Sequence, residues 1–149
     1  MVDLEVMSKK IDHNVAEKCT GCKICTMVCS LYHEKDGINP RRSRISILSL
    51  PERMEIIPMV CHFCEDSLCV KSCPVEALSR DEEKRVIVVD DNICNSCGEC
   101  VEACPYGAMT IHPVTNIAMT CDRCDGNFWC VKYCPKDALE GFVGVEKKA

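Results

Sequence analysis

The chain has 149 residues, of which 16 are cysteine, and its formal net charge is −5 at pH 7. The negative charge argues against a nucleic-acid partner, and no apolar run approaches the roughly 18 residues of a membrane span. One Trp and three Phe are too few to fill an ordinary apolar core, so another component is expected to complete the core.

In chain order, residues 1–18 come first and are charged throughout. They lack the apolar stretch of a signal peptide, so we expect an N-terminal extension rather than an export signal.

The cysteines that follow fall into four groups of four. The groups are Cys19, Cys22, Cys25 and Cys29; Cys61, Cys64, Cys69 and Cys73; Cys94, Cys97, Cys100 and Cys104; and Cys121, Cys124, Cys130 and Cys134. Proline follows the fourth cysteine in the last three groups, whereas Ser30 takes that place in the first. The third group reads C-x2-C-x2-C-x3-C-P, the ligand run of bacterial two-cluster ferredoxins. The pattern predicts four [4Fe-4S] clusters.

The spacing has a physical reason. Three cysteines two residues apart let one short loop place three sulfurs on three irons, with backbone N–H groups directed at the cluster. The fourth cysteine, expected on a short helix that faces away, ligates the other cluster of a pair. Proline then ends the helical turn because it has no N–H, so the exit from the first group must differ.

Two other uses of many cysteines are less consistent with the pattern. Disulfide scaffolds are typical of small secreted chains, and they do not require repeated two-residue spacings. Zinc ribbons use two C-x2-C pairs separated by a longer gap. A structural zinc-binding module therefore remains the less favoured alternative.

Between the groups, short apolar and β-branched runs predict three hairpins. Their strands are 44–48 with 54–57, 77–79 with 86–89, and 109–112 with 117–120. Short helices are expected between the third and fourth cysteine of each group, and the polar connection 30–40 is expected to begin as a helix. The cysteine spacings repeat in the order A-B-A′-B′. The expected fold class is α+β, with duplicated bacterial ferredoxin-like lobes, short helices and β-hairpins around four [4Fe-4S] clusters.

Several other side chains lie close to the cysteines. Lys23, Lys71, Lys132 and Arg123 would favour a reduced cluster nearby, and Trp129 is expected to shield one from water. We interpret His33 and His62 as packing or surface residues. We also interpret the basic residues at 41, 42 and 44 as a solvated loop, with docking to an acidic partner as the alternative.

The stretch from Cys19 to Leu139 resembles the four-cluster iron–sulfur subunits of molybdenum and tungsten bis-pterin oxidoreductases, such as dimethyl sulfoxide reductase and formate dehydrogenase. The similarity is carried by CTGCKICTMVC at 19–29, CHFCEDSLCVKSCP at 61–74, CNSCGECVEACP at 94–105 and CDRCDGNFWCVKYCP at 121–135. The compact length is most similar to the small subunit of tungsten aldehyde oxidoreductases or the ferredoxin-like partner of carbon monoxide dehydrogenase.

The resemblance implies a crossed set of ligands. Cluster one takes Cys19, Cys22, Cys25 and Cys134; cluster two Cys61, Cys64, Cys69 and Cys104; cluster three Cys94, Cys97, Cys100 and Cys73; and cluster four Cys121, Cys124, Cys130 and Cys29. The spacing itself is equally compatible with pairing the third and fourth groups. The crossing divides a polyferredoxin unit at 19–139 into an outer lobe, from about 15–57 and 108–140, and an inner lobe from about 58–107. A C-terminal tail at 140–149 follows.

The resemblance also implies a function. The chain is expected to be a non-catalytic electron-transfer subunit, because the sequence has no phosphate-binding loop and no dinucleotide fingerprint. It would relay electrons between a catalytic tungsten- or molybdenum-pterin subunit and a redox partner such as a flavin subunit or a ferredoxin, within a hetero-oligomer. The alternative is a free polyferredoxin that shuttles between enzymes. Oxygen-labile clusters and the missing export signal favour the cytoplasm of an anaerobe.

Overall fold

The computed structural model describes residues 17–140, and short elements alternate with the cysteine groups. The α-helices are α1 (Ile24–His33), α2 (Leu68–Lys71), α3 (Glu99–Ala103) and α4 (Trp129–Lys132). The strands are β1 (Ser46–Leu50), β2 (Glu55–Met59), β3 (Leu78–Asp81), β4 (Val86–Val89), β5 (Thr110–Ile111) and β6 (Ala118–Met119). Single turns of 3₁₀ helix cover Pro40–Arg42, Pro51–Arg53 and Arg123–Gly126. The expected mixture of short helices and hairpins is confirmed.

The strands form three separate antiparallel hairpins: β1 with β2, β3 with β4, and β5 with β6. All three were predicted, but the first begins two residues later than expected. The N–H of Arg44 donates instead to Cys29 Sγ, at 3.3 Å, and that of Ile45 to the Ser43 hydroxyl, at 3.2 Å. Because these two N–H groups bond elsewhere, neither residue takes part in the hydrogen bonding between β1 and β2. The third hairpin is confined to 110–111 and 118–119, shorter than predicted.

Helix α1 is the longest helix in the described part of the chain, at ten residues. Ser30 retains the N–H that proline lacks, so α1 continues past the fourth cysteine of its group. The Ser30 side chain is fully buried; its hydroxyl donates to the Met27 carbonyl and accepts from the Asn39 N–H. The backbone after this group therefore differs from the backbone after the other three groups, as expected.

One expectation about the fourth cysteines of the other three groups is wrong. They were predicted to lie on short helices, but α2, α3 and α4 end before Cys73, Cys104 and Cys134 are reached. The proline next to each of these cysteines disfavours helical backbone at the residue before it. Cys29 is the fourth cysteine of its group, and no proline follows it. It lies within helix α1.

Cysteines make up a large share of the buried core. One cluster of buried side chains contains Ile45, Val60, Val131 and Leu139 with Cys25, Cys29, Cys121 and Cys130. A second contains Ala77, Leu78, Ile87, Met109 and Ala118 with Cys100. Helix α1 packs against α4, and α2 packs against α3. Within residues 17–140, no helix combines the length and apolar character needed to cross a bilayer.

Candidate metal centres

The sixteen cysteines converge in four sets, and no disulfide links them. Cys61, Cys64, Cys69 and Cys104 line a cavity of about 300 Å³, which we call site two. Cys19, Cys22, Cys25 and Cys134 line a narrower cavity, site one, and Cys29, Cys121, Cys124 and Cys130 line site four. At site three, the thiols of Cys73, Cys94 and Cys97 all act electrostatically on Cys100. The structure therefore groups residues that are distant in sequence, such as Cys25 and Cys134.

Backbone N–H groups point at several of these sulfurs. In two of the groups, the residue two positions after the first cysteine donates its N–H to that cysteine. Phe63 donates to Cys61 Sγ and Arg123 donates to Cys121 Sγ, both at 3.4 Å. Both donors have positive φ, of 51° and 60°, a backbone turn that brings the N–H back toward the sulfur.

A second kind of N–H contact involves the P-x-x-A sequences that follow two of the cysteine groups, at 74–77 and 135–138. The N–H of Ala77 donates to Cys73 Sγ at 3.3 Å, and that of Ala138 donates to Cys134 Sγ at 3.4 Å. Ala77 and Ala138 are both buried, so a small side chain suits the turn that makes this contact.

Burial raises the pKa of eight of these thiols and so favours their protonated form when no metal is present. Burial, together with a smaller effect of neighbouring thiols, raises the pKa of Cys25 and Cys130 to about 12 and that of Cys69 and Cys124 to about 11. Collecting four thiolates in one apolar cavity is unfavourable without a cation to neutralise them. Metal binding would therefore release protons and stabilise the fold.

The donor sets fit iron–sulfur clusters. Each site offers four soft sulfur donors, the full ligand set of one [4Fe-4S] cluster. The volume of site two is more than a single zinc ion needs, because Zn–S bonds are only about 2.3 Å long. Sulfur donors, N–H contacts and apolar walls together match the surroundings such a cluster requires.

Interactions between cysteines and between helices show which sites are neighbours. The thiol of Cys25 in site one raises the pKa of Cys130 in site four, after the larger effect of burial. Cys61 of site two contributes in the same way to Cys121 of site four. Helices α2 and α3, which pack together, carry Cys69 of site two and Cys100 of site three. The order is thus one, four, two, three.

Exposure differs along this row. Cys22 at site one and Cys97 at site three are exposed, whereas all four cysteines of site four are buried. The two end sites therefore approach the surface, and site four is enclosed.

The role of His33 was not predicted from the sequence. The structure buries this residue at the end of α1, with a side chain only 10% exposed. Its Nδ1 lies 2.8 Å from the Cys29 carbonyl oxygen and 3.7 Å from Cys29 Sγ, and its Nε2 lies 3.0 Å from both carboxylate oxygens of Asp122. The available signal was its spacing, four residues after a cysteine in a helix that no proline ends.

The electrostatics around His33 are tightly linked. Burial lowers the pKa of His33, but the bonds to Asp122 and Cys29 outweigh it and raise that pKa to about 9. Burial also raises the pKa of Asp122, yet His33 and Arg44 hold it at about 2. For Cys29, hydrogen bonds from His33 and the Arg44 N–H overcome burial and lower the pKa of the thiol. Cys29 thus differs from the buried thiols around it.

The expectation of a solvated basic loop at 41, 42 and 44 holds for Arg41, which is exposed, but is wrong for the other two. Arg42 pairs with Glu34 at 2.8 Å and Asp36 at 3.0 Å, and Arg44 pairs with Asp122 at 2.7 Å. The partners of Arg42 are close in sequence, whereas Asp122 lies 78 positions after Arg44, a pairing that local sequence does not reveal.

Two of the cations beside the cysteines lie over aromatic rings. The Arg123 guanidinium lies 4.0 Å from the Phe63 ring centroid, and Lys132 Nζ lies 5.3 Å from that of Trp129. Trp129 stacks on Tyr133 at 5.5 Å next to Cys130, and His62 stacks on Tyr106 at 3.6 Å beside site two.

Comparison with known proteins identifies two matching families. Residues 52–141 match the family described as the 4Fe-4S dicluster domain, and residues 16–32 match a 4Fe-4S binding domain. The chain is 40% identical over 131 residues to the aliphatic sulfonate oxidoreductase, polyferredoxin-like subunit of Pyrococcus furiosus, covering 86% of this chain and 75% of that protein.

Two further relatives are named for reductases. A tetrathionate reductase subunit of Archaeoglobus fulgidus is 34% identical over 108 residues, which cover 72% of this chain and 51% of that protein. The thiosulfate reductase electron transfer subunit PhsB of Salmonella typhi is 31% identical over 140 residues, covering 83% of this chain and 70% of that protein.

Proposed function

The chain belongs to the 4Fe-4S dicluster domain family, and on that premise we propose that it holds four [4Fe-4S] clusters and relays electrons within an oxidoreductase complex. Its named relatives include a polyferredoxin-like subunit and an electron transfer subunit, which supports a non-catalytic role. The observation that carries the proposal is the convergence of four sets of four cysteines.

The proposed ligands are the crossed sets. Cluster one is held at site one, cluster two at site two, cluster three at site three and cluster four at site four, each by the four cysteines named for it above. Each cluster, when bound, would accept and release one electron. The crossed ligands would join the outer cysteine groups in one lobe and the inner groups in the other, as a duplicated ferredoxin unit.

The chain's own residues suit this relay. Buried apolar side chains such as Val60, Ile45 and Leu139 exclude water from the sites, and backbone N–H groups stabilise the negative charge on the sulfurs. The order of the sites and the exposure of Cys22 and Cys97 support entry of electrons at one end and exit at the other.

We propose a tungsten- or molybdenum-pterin catalytic subunit as the partner at one end, and a flavin subunit or ferredoxin at the other, in the cytoplasm. The relatives are named as subunits of sulfonate, tetrathionate and thiosulfate enzymes, which supports a catalytic partner. A free carrier would instead purify from its host as a monomer that exchanges electrons with several enzymes.

The experiment that tests the proposal compares pairs of cysteine variants made without oxygen. The natural chain should contain about sixteen iron and sixteen acid-labile sulfide atoms. C22S and C134S should alter the same cluster signal in electron paramagnetic resonance, since both residues belong to site one. C97S and C73S should alter a different signal in common.

Two results would contradict this scheme. If C134S altered the signal that C97S alters, the crossed ligand sets would be wrong. If the anaerobic protein were colourless, free of sulfide and loaded with zinc, the electron-transfer function itself would be wrong.

A further inference from the structure

His33 reaches Cys29 because α1 is extended beyond the cysteine. His33 comes four positions after Cys29 in a continuous helix, so the two side chains lie on the same face. At Cys73 and Cys134, the corresponding position four residues on is an alanine whose backbone N–H donates to the sulfur. At Cys29 the N–H comes from Arg44 instead, and an imidazole occupies the position four residues on.

Both ring nitrogens of His33 face acceptors. Nδ1 faces the Cys29 carbonyl oxygen and Sγ, and Nε2 faces the Asp122 carboxylate. The Cys29 carbonyl oxygen accepts hydrogen bonds but cannot donate them, so Nδ1 carries the hydrogen that lies between them. The contacts therefore hold an N–H donor beside the sulfur.

Asp122, which faces the other ring nitrogen of His33, is also bound by Arg44. Arg44 Nη1 lies 2.7 Å from the carboxylate, so the guanidinium offsets the negative charge of Asp122. The His33 N–H lies at the edge of site four, in a part of the core where Cys29, Cys121, Cys124 and Cys130 are all buried. Low solvent access preserves its effect.

We propose that His33 raises the reduction potential of the cluster at site four, because it directs an N–H toward the sulfur of Cys29, so that an electron on the relay resides preferentially at that enclosed site. A reduced cluster carries one more negative charge than an oxidised one, and an N–H donor beside a ligand sulfur stabilises that charge. This inference rests on the proposed electron-transfer function.

The test is a redox titration of the H33L variant, with H112L as the matched control. His112 is also partly buried and also binds a carboxylate, Glu34 at 3.1 Å, but its other hydrogen bonds come from the backbone of residues 114 and 115. The site-four signal is identified as the one lost in C124S.

At a fixed solution potential, H33L should lower the ratio of reduced to oxidised site-four cluster about tenfold, a shift of about 59 mV for one electron. H112L should leave this ratio unchanged. Full iron and sulfide content with an unchanged ratio in H33L would overturn the inference while leaving the proposed function intact. Absence of clusters from the natural protein would overturn both.

A second measurement covers the case in which H33L loses the site-four cluster. In the H62Q/H112Q variant, His33 is the remaining histidine among residues 17–140. With ¹⁵N-labelled histidine, the reduced site-four cluster should show magnetic coupling to a ring nitrogen. Absence of this coupling would overturn the inference.

Discussion

At the scale of single residues, Glu34 connects two distant parts of the chain. Its carboxylate binds Arg42 at 2.8 Å and His112 at 3.1 Å, and its side chain is only 16% exposed. His112 follows β5, 78 positions later in the sequence. Charged partners held away from water interact more strongly than surface pairs, so this small network contributes to stability.

We expect E34Q to destabilise the cluster-loaded protein by about 1 kcal/mol, since it weakens two charge-assisted hydrogen bonds. The midpoint of thermal unfolding should fall by about 2–4 °C, followed anaerobically by loss of visible absorption. E52Q, in the exposed turn after β1, is the control and should leave the midpoint unchanged. Equal midpoints for E34Q and the natural protein would show that the network is not stabilising.

The same variant has a defined pH dependence. Burial raises the pKa of Glu34, but the bonds from His112 and Arg42 outweigh it and lower that pKa below its ordinary value of 4.5. A carboxylate of lowered pKa stabilises the fold above the ordinary value, and this contribution is lost as pH falls through the lower, folded value. The midpoint difference between E34Q and the natural chain should therefore be the same at pH 7 and pH 5.5.

At the scale of elements, α1 shows how one residue changes the environment of a metal site. Ser30 stands where the other groups have proline, and the helix therefore continues to His33. The extra turn brings His33 to Cys29 and Asp122, and brings Glu34, the residue just after the helix, to Arg42.

We expect S30P to destabilise the protein by about 3 kcal/mol, because proline removes a helical hydrogen bond and clashes with the preceding turn. S30A is the matched control and should cost only about 1 kcal/mol, the loss of the hydroxyl bonds to Met27 and Asn39. Denaturant unfolding of both variants provides the comparison. If S30P were no less stable than S30A, the continuity of α1 would not matter.

The sequence was sufficient for the type and order of the elements. Apolar and β-branched runs identified all three hairpins, and the cysteine spacing located the short helices. The start of β1 was missed because the N–H groups of Arg44 and Ile45 bond to Cys29 and Ser43. The pairing of His33 with Asp122, 89 positions away, was likewise missed, since sequence spacing does not reveal long-range contacts.

At the scale of the whole molecule, the cysteines fill the place that large apolar side chains take elsewhere. They occupy both core clusters, alongside small residues such as Ala77, Ala118 and Val131. The strands form three separate two-stranded sheets, and a two-stranded hairpin is at best marginally stable by itself. Folding is therefore expected to depend on the groups bound by the cysteines.

Removal of iron and sulfide by a chelator under reducing, anaerobic conditions should leave a largely unfolded chain. Circular dichroism should lose most of its secondary-structure signal, and addition of iron and sulfide should restore it. A stripped protein that still unfolded cooperatively on heating would show that the polypeptide builds a sufficient core without its metal groups.

The uneven exposure of the cysteines has a consequence for survival in air. Cys22 and Cys97 are open to solvent at the two ends of the row, while site four lies behind Val60 and Phe128. With clusters bound as proposed, dissolved oxygen would meet the two terminal ones before it met the enclosed one. Oxidative damage would then begin at the two terminal clusters and reach the enclosed one last. A protein exposed to air would lose electron transfer to other proteins before it lost the iron of site four.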